Sequence, residues 1–83
     1  MAHPIHDPRY QRMAKMLAEL RQARGMLQTD LADRLQRPQA YVSRYETGNR
    51  RLDVVEFFDV LRALDVEPRE AADRLYKIFK DEV

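Results

Sequence analysis

The chain has 83 residues, no cysteine and a net charge of only +1. That length supports one modest core, and the missing cysteines exclude a disulfide framework, a thiolate nucleophile and a cysteine-based zinc site. No apolar run approaches the roughly 20 residues that span a bilayer, and MAHPIHDPRY at the start has no apolar stretch of a signal peptide, so a soluble, cytoplasmic protein is expected.

Residues 1–6 read as a frayed start. Asp7-Pro8 opens a first helix, with a side-chain acceptor at the N-cap and proline at the first helical position. Met13, Met16, Leu17 and Leu20 then follow helical spacing to about Arg24, where Gly25 stops the helix. A short second helix is predicted over about Gln28 to Leu35, with Leu31, Ala32 and Leu35 on one face. Pro38 suits the first position of a third helix, which turns Val42 and Tyr45 inward and ends near Thr47-Gly48. After the polar loop Asn49-Arg50-Arg51, the Asp53-x-x-Glu56 capping box starts a fourth helix near Val54. Its apolar face is expected to be Val54, Phe57, Phe58, Leu61 and Leu64. Pro68 starts a fifth helix with Ala72, Leu75, Tyr76 and Phe79 in helical register. There is no strand pattern, repeat or low-complexity linker, so the reading is one all-α domain of five helices over residues 1–83.

The small net charge hides an asymmetry. Residues 1–51 hold ten Arg or Lys against five Asp or Glu, and residues 52–83 hold five against nine. A basic half joined to an acidic half points to one face that attracts polyanions.

The run GMLQTDLADRLQRPQAYVSRYETG, followed by NRRLDVVEFFDVLRALDVEP, resembles the phage-repressor (Cro-like, XRE-type) helix-turn-helix family over about Leu20 to Pro68. Several features agree at fixed spacing: Gln28 opening the second helix, the Leu31-Ala32 pair, Val42-Ser43-Arg44, Glu46 with Gly48, and Ala63-Leu64. The resemblance implies a repressor-like five-helix fold, and a third helix that enters the DNA major groove while the second braces it. The outer face of that third helix carries Gln39, Ala40, Tyr41, Ser43 and Arg44, side chains that are small or form hydrogen bonds.

The residue roles implied are these. Gln39 sits where the family reaches base edges, and a Gln there can pair with adenine N6 and N7. Ala40 is small enough to meet a thymine methyl. Arg44, one turn on, suits guanine O6 and N7, with a phosphate as the alternative. Tyr41 stands where the family has a small residue. It is expected to lie over a phosphate, sugar or neighbouring base rather than in the core, since Val42 takes the inward position. Ser43 is expected to bond a backbone, of DNA or of its own helix. Gln28 is placed for phosphate at a helix N-terminus, and Asn49, Arg50 and Arg51 for the DNA backbone beyond the reading helix. By alignment, Glu46 pairs with Arg21, giving a buried ion pair between the first and third helices. Three positions depart from the family: Gln36 replaces the turn glycine, Leu27 the Ser or Thr cap of the second helix, and Asp65 the glycine ending the fourth.

A module this small needs a second copy to read two half-sites. The fifth helix, about residues 68–80, is the expected dimer surface through Leu75, Tyr76, Ile78 and Phe79, with Leu52 contributing. The function expected is a sequence-specific regulator of transcription on double-stranded DNA, a repressor acting as a homodimer on a palindromic operator. The competing reading is an antitoxin or an adaptor that binds a protein partner through the fifth helix. An enzyme is not expected. The only histidines, His3 and His6, have no other ligands beside them, and no nucleophile–base pair or phosphate-binding glycine loop is present. No cofactor and no metal are called for.

Overall fold

A computed structural model describes residues 7–81. Five helices follow one another: α1 (Pro8–Ala23), α2 (Gln28–Leu35), α3 (Gln39–Glu46), α4 (Val54–Leu64) and α5 (Pro68–Asp81). There is no strand among the described residues. His3, His6 and the expected fraying of residues 1–6 lie outside them.

The caps explain the boundaries. The Asp7 carboxylate accepts from Arg9 N at 2.8 Å and Pro8 is the first helical residue of α1. Gly25, at φ 67°, turns the chain out of α1. Leu27 offers α2 no side-chain acceptor. Instead the Asp30 carboxylate accepts from Leu27 N at 2.8 Å, half of a capping box. At α4 both halves form: Glu56 N donates to Asp53 at 2.8 Å and Asp53 N to Glu56 at 3.0 Å. Pro38 takes the N-cap of α3, one position before its expected place. Gln36 (φ 56°) and Asp65 (φ 58°) both adopt the left-handed conformation where the family has glycine. For a residue with a Cβ this costs about 1 kcal/mol.

The core joins all five helices. α1 lies against α3 and α5, α2 against α3 and α4, and α4 against α5. Leu17, Leu31, Val42, Tyr45, Val60 and Ala71 are fully buried at the centre. Burying one such aliphatic side chain stabilises the fold by about 1.5–3 kcal/mol.

The apolar faces of α4 and α5 differ from those expected. Val60, Leu61 and Leu64 form the buried stripe of α4, while Val54 (67% exposed) and Phe58 (50%) project outward. In α5, Ala71 and Ile78 are buried, and Ala72, Tyr76 and Phe79 lie outside. Both helices carry apolar residues around more than one side, so periodicity alone admits several stripes. The one that packs is set by contact with α1 and α2.

Candidate nucleic-acid interface

α3 is held from beneath. Its Val42 and Tyr45 are buried, and Glu46 at its end meets Arg21 from α1. Arg21 Nε donates to Glu46 Oε2 at 2.7 Å and Nη2 to Oε1 at 3.1 Å, a two-pronged pair. The third donor of Arg21 reaches the Met26 carbonyl at 2.6 Å. The side chains retain only 10% and 5% of their exposure. The paired Glu46 carboxylate holds the Arg21 guanidinium above its ordinary pKa.

The pair extends toward the outer face. Gln28 Nε2 donates to Glu46 Oε1 at 2.9 Å, and Gln39 Nε2 donates to Gln28 Oε1 at 2.6 Å. A chain of four side chains thus runs from α1 to the first residue of α3. It fixes the amide of Gln39 at the exposed start of the helix. Gln28, placed by sequence for phosphate, uses its amide in this chain.

Gln39, Ala40 and Arg44 are exposed, and Arg44 has no side-chain partner among the described residues. Ser43 is half-buried, and its carbonyl accepts from Thr47 Oγ1 at 2.9 Å. Past the helix, Asn49 N and Arg50 N both donate to the Arg44 carbonyl, closing the end of α3. Asn49 and Arg51 are exposed along the loop.

One expectation about the reading helix is corrected. Tyr41 is buried, at 9% exposure, although Val42 is buried too. α3 packs on two flanks, and the Tyr41 ring fills the flank toward α4. It meets Tyr45 edge-on at a centroid distance of 5.7 Å. Burial, followed by the nearby charge of Glu56, pushes its hydroxyl pKa up. Arg50, expected beside the DNA backbone, pairs within the fold. Its guanidinium bonds both oxygens of Glu56, at 3.3 and 2.9 Å, and lies 4.7 Å from the Tyr41 ring centroid. Arg50 in turn lowers the pKa of Glu56.

A second correction concerns the expected dimer surface. Ile78 is buried in the core and is not available to a second chain. Phe79 lies under the Arg9 guanidinium at 4.9 Å, on the α1 side, and Leu75 is half-buried. Of the four, Tyr76 is the most exposed, at 71%. The larger apolar concavity lies between α4 and α5, lined by Val54, Phe57, Phe58, Leu61, Ala72 and Leu75, with a volume of about 490 Å³.

Sequence reasoning passed over two residues beside the interface. The Tyr10 hydroxyl donates to the Arg50 carbonyl at 2.6 Å and accepts from Leu52 N at 2.8 Å, so α1 pins the loop after the reading helix. The signal was its register with Ala14, Leu17 and Arg21 on the buried side of α1. Arg37, in the turn before α3, places its guanidinium 4.7 Å from the Tyr41 ring centroid.

A short helix, α2, packed against a second, α3, whose outer face carries amide and guanidinium donors, defines a helix-turn-helix module. The helix-turn-helix family model matches residues 17–70, and the chain belongs to the XRE-type helix-turn-helix family of DNA-binding transcriptional regulators. An XRE-family like protein from Pseudomonas syringae pv. tomato str. DC3000 is 43% identical, with a TM-score of 0.80 over 89% of this chain and 90% of that one. The restriction-modification controller protein C.AhdI from Aeromonas hydrophila is 35% identical, with a TM-score of 0.67 over 76% of this chain and 94% of its own. The controller protein C.Esp1396I, whose tetramer was solved in complex with its natural 35 base-pair operator, shares the fold at 22% identity. Its TM-score is 0.81 over 88% of this chain and 96% of that one. No curated protein matches the chain. No helix among the described residues is long and apolar enough to cross a membrane.

Proposed function

We propose that the chain is a cytoplasmic, sequence-specific regulator of transcription that acts as a homodimeric repressor on a palindromic operator in double-stranded DNA. The observation that carries this reading is the side-chain relay from Arg21 through Glu46 and Gln28 to Gln39. It stiffens the outward end of α3 before any ligand arrives, which reduces the ordering cost of reading a base edge. In this reading Gln39, Ala40 and Arg44 meet bases. Ser43, Asn49 and Arg51 lie along the backbone, and Gln28 holds Gln39 and presents its remaining amide proton to a phosphate. Arg50 joins the backbone contacts by exchanging Glu56 for phosphate.

The homodimer is proposed to close over the concavity between α4 and α5 rather than over the outer side of α5. Val54 and Phe58 are large, apolar and exposed there. A self-complementary patch of this kind suits a two-fold axis, which sets two reading helices one helical turn apart. The adaptor or antitoxin reading has no observation of its own beyond the same concavity.

The test is a titration of the purified protein against fluorescent duplexes, one from the DNA upstream of its own gene and one scrambled. Arg44→Ala and Gln39→Ala are run alongside. Tight binding to the first duplex alone, lost in both variants while the helical spectrum persists, is expected. Equal, weak, salt-sensitive binding to both duplexes would leave only the phosphate contribution and sink the sequence-specific reading.

A further inference from the structure

The turn between α2 and α3 faces α4 across a concavity of about 470 Å³, lined by Arg34, Arg37, Tyr41, Asp59 and Arg62 among others. Three guanidinium groups border it against one carboxylate. Arg34 spends a donor on the Ala63 carbonyl at 3.0 Å, and Arg37 has no ion pair among the described residues. Arg37 and Arg50 both lie over the Tyr41 ring, each 4.7 Å from its centroid. Two like charges therefore gather at one ring against a single carboxylate, Glu56, which pairs directly with Arg50 and reaches Arg37 only through space. An anion bound beside Arg37 relieves that imbalance.

We infer that this concavity is a second seat for the DNA backbone, in which Arg37 holds a phosphate and Tyr41 is the positioning residue that aims Arg37 at it. The inference rests on the DNA-binding reading above and adds a contact to it. Arg37 lies two residues before α3, so a duplex engaged by Gln39 and Ala40 brings its backbone near the turn. The cations are exposed rather than enclosed. A small anion gains little from such a seat against water, whereas a polyanion gains by releasing its condensed counterions. The Tyr41 ring supplies what an exposed arginine lacks, a preferred place for the guanidinium.

Binding of the full chain to both duplexes is measured by anisotropy across about 50 to 200 mM salt. Wild type is compared with Arg37→Ala, Tyr41→Phe and Tyr41→Leu, each checked for helical content. Arg37→Ala is expected to flatten the log–log salt slope by about 0.9, and to weaken binding to both duplexes alike by about eight-fold at 0.1 M salt, the effect of one lost phosphate contact. Tyr41→Phe retains the ring and is expected to keep the wild-type slope. Tyr41→Leu, where it folds, is expected to match Arg37→Ala. If it unfolds, Arg37→Ala and Tyr41→Phe decide the matter.

An unchanged slope in Arg37→Ala overturns the contact. A slope lost in Tyr41→Phe overturns the positioning role, since the hydroxyl and not the ring would then be acting. Stabilisation of wild type, but not of Arg37→Ala, by millimolar inorganic phosphate at constant ionic strength would overturn the inference in favour of a small-anion site. Wild type that binds neither duplex would remove the regulator reading itself, an outcome distinct from any of these.

Discussion

Two arginine–glutamate pairs flank the reading helix, and they are chemically the same. Arg21–Glu46 and Arg50–Glu56 both use two guanidinium donors on two carboxylate oxygens, with closest contacts of 2.7 and 2.9 Å. Their surroundings differ. The first keeps 10% and 5% of its side-chain exposure, the second 37% and 15%. A buried pair cannot be opened without leaving a charge stranded, so it acts as a brace. A partly exposed pair costs less to open, so its arginine remains available to another anion. The same two residue types thus make a fixed joint under α3 and a releasable cation beside it.

The largest effect should follow from breaking the joint. Glu46→Ala strands Arg21 and is expected to cost about 3–5 kcal/mol, read as a shift in the urea unfolding midpoint. It also removes the acceptor of Gln28, so the surviving folded fraction should discriminate less well between operator and scrambled duplex. A loss under about 1 kcal/mol would mean that the brace is no brace.

Arg50→Ala sharpens the contrast. It is expected to cost no more than about 1 kcal/mol of stability, the range of exposed pairs. A double-mutant cycle on each pair tests the distinction directly. Similar coupling energies in the two cycles would erase it.

Glu56→Gln separates charge from capping, because glutamine still serves the capping box of α4. With the carboxylate gone, Arg50 meets DNA without first releasing a partner. Binding is expected to tighten a few-fold, with stability at neutral pH within about 1 kcal/mol of wild type. The variant also isolates a pH effect. Glu56 has a lowered pKa in the fold, chiefly through Arg50 and then the Asp53 amide. Such a group stabilises fully above its ordinary value of 4.5 and loses that contribution as pH falls through the folded value. Asp7, held down to about 2 mainly by its hydrogen bonds with Arg9, acts in the same direction. Wild type should therefore lose melting temperature on acidification, and Glu56→Gln should lose less. Parallel melting curves across about pH 6 to 2 would contradict this assignment.

The smallest effect lies in the turn. Gln36→Gly relieves a left-handed backbone at φ 56° and is expected to add about 0.5–1 kcal/mol, visible as a few degrees in melting temperature. A decrease would show that the Gln36 side chain contributes more than its backbone strain costs.

How far the sequence could be read follows from particular residues. The start of α1 was legible because Asp7-Pro8 is a local cap, and that of α4 because Asp53 and Glu56 bond within one turn. The joint was legible only by alignment: 25 residues separate Arg21 from Glu46, and no local rule connects them. Tyr41 was misjudged because helical spacing gave Val42 the inward direction, and α3 has two packed flanks rather than one. The pairing of Arg50 was not legible, because a charged loop residue shows nothing of the carboxylate six positions on until α4 turns back toward it.

The sequence by itself determined the number and order of the helices, the caps opening α1 and α4, and the outward set of Gln39, Ala40 and Arg44. These depend on interactions within a few residues or on a single helical period. The tertiary structure alone decided which stripe of α4 and α5 is buried, that Ile78 belongs to the core, and that Arg37 and Arg50 share the ring of Tyr41. Each of these is a choice among several apolar stripes or several cations of equal local merit. Such a choice is made only when distant segments compete for the same space, because burial and Coulomb attraction depend on distance in the folded chain and not on separation along it.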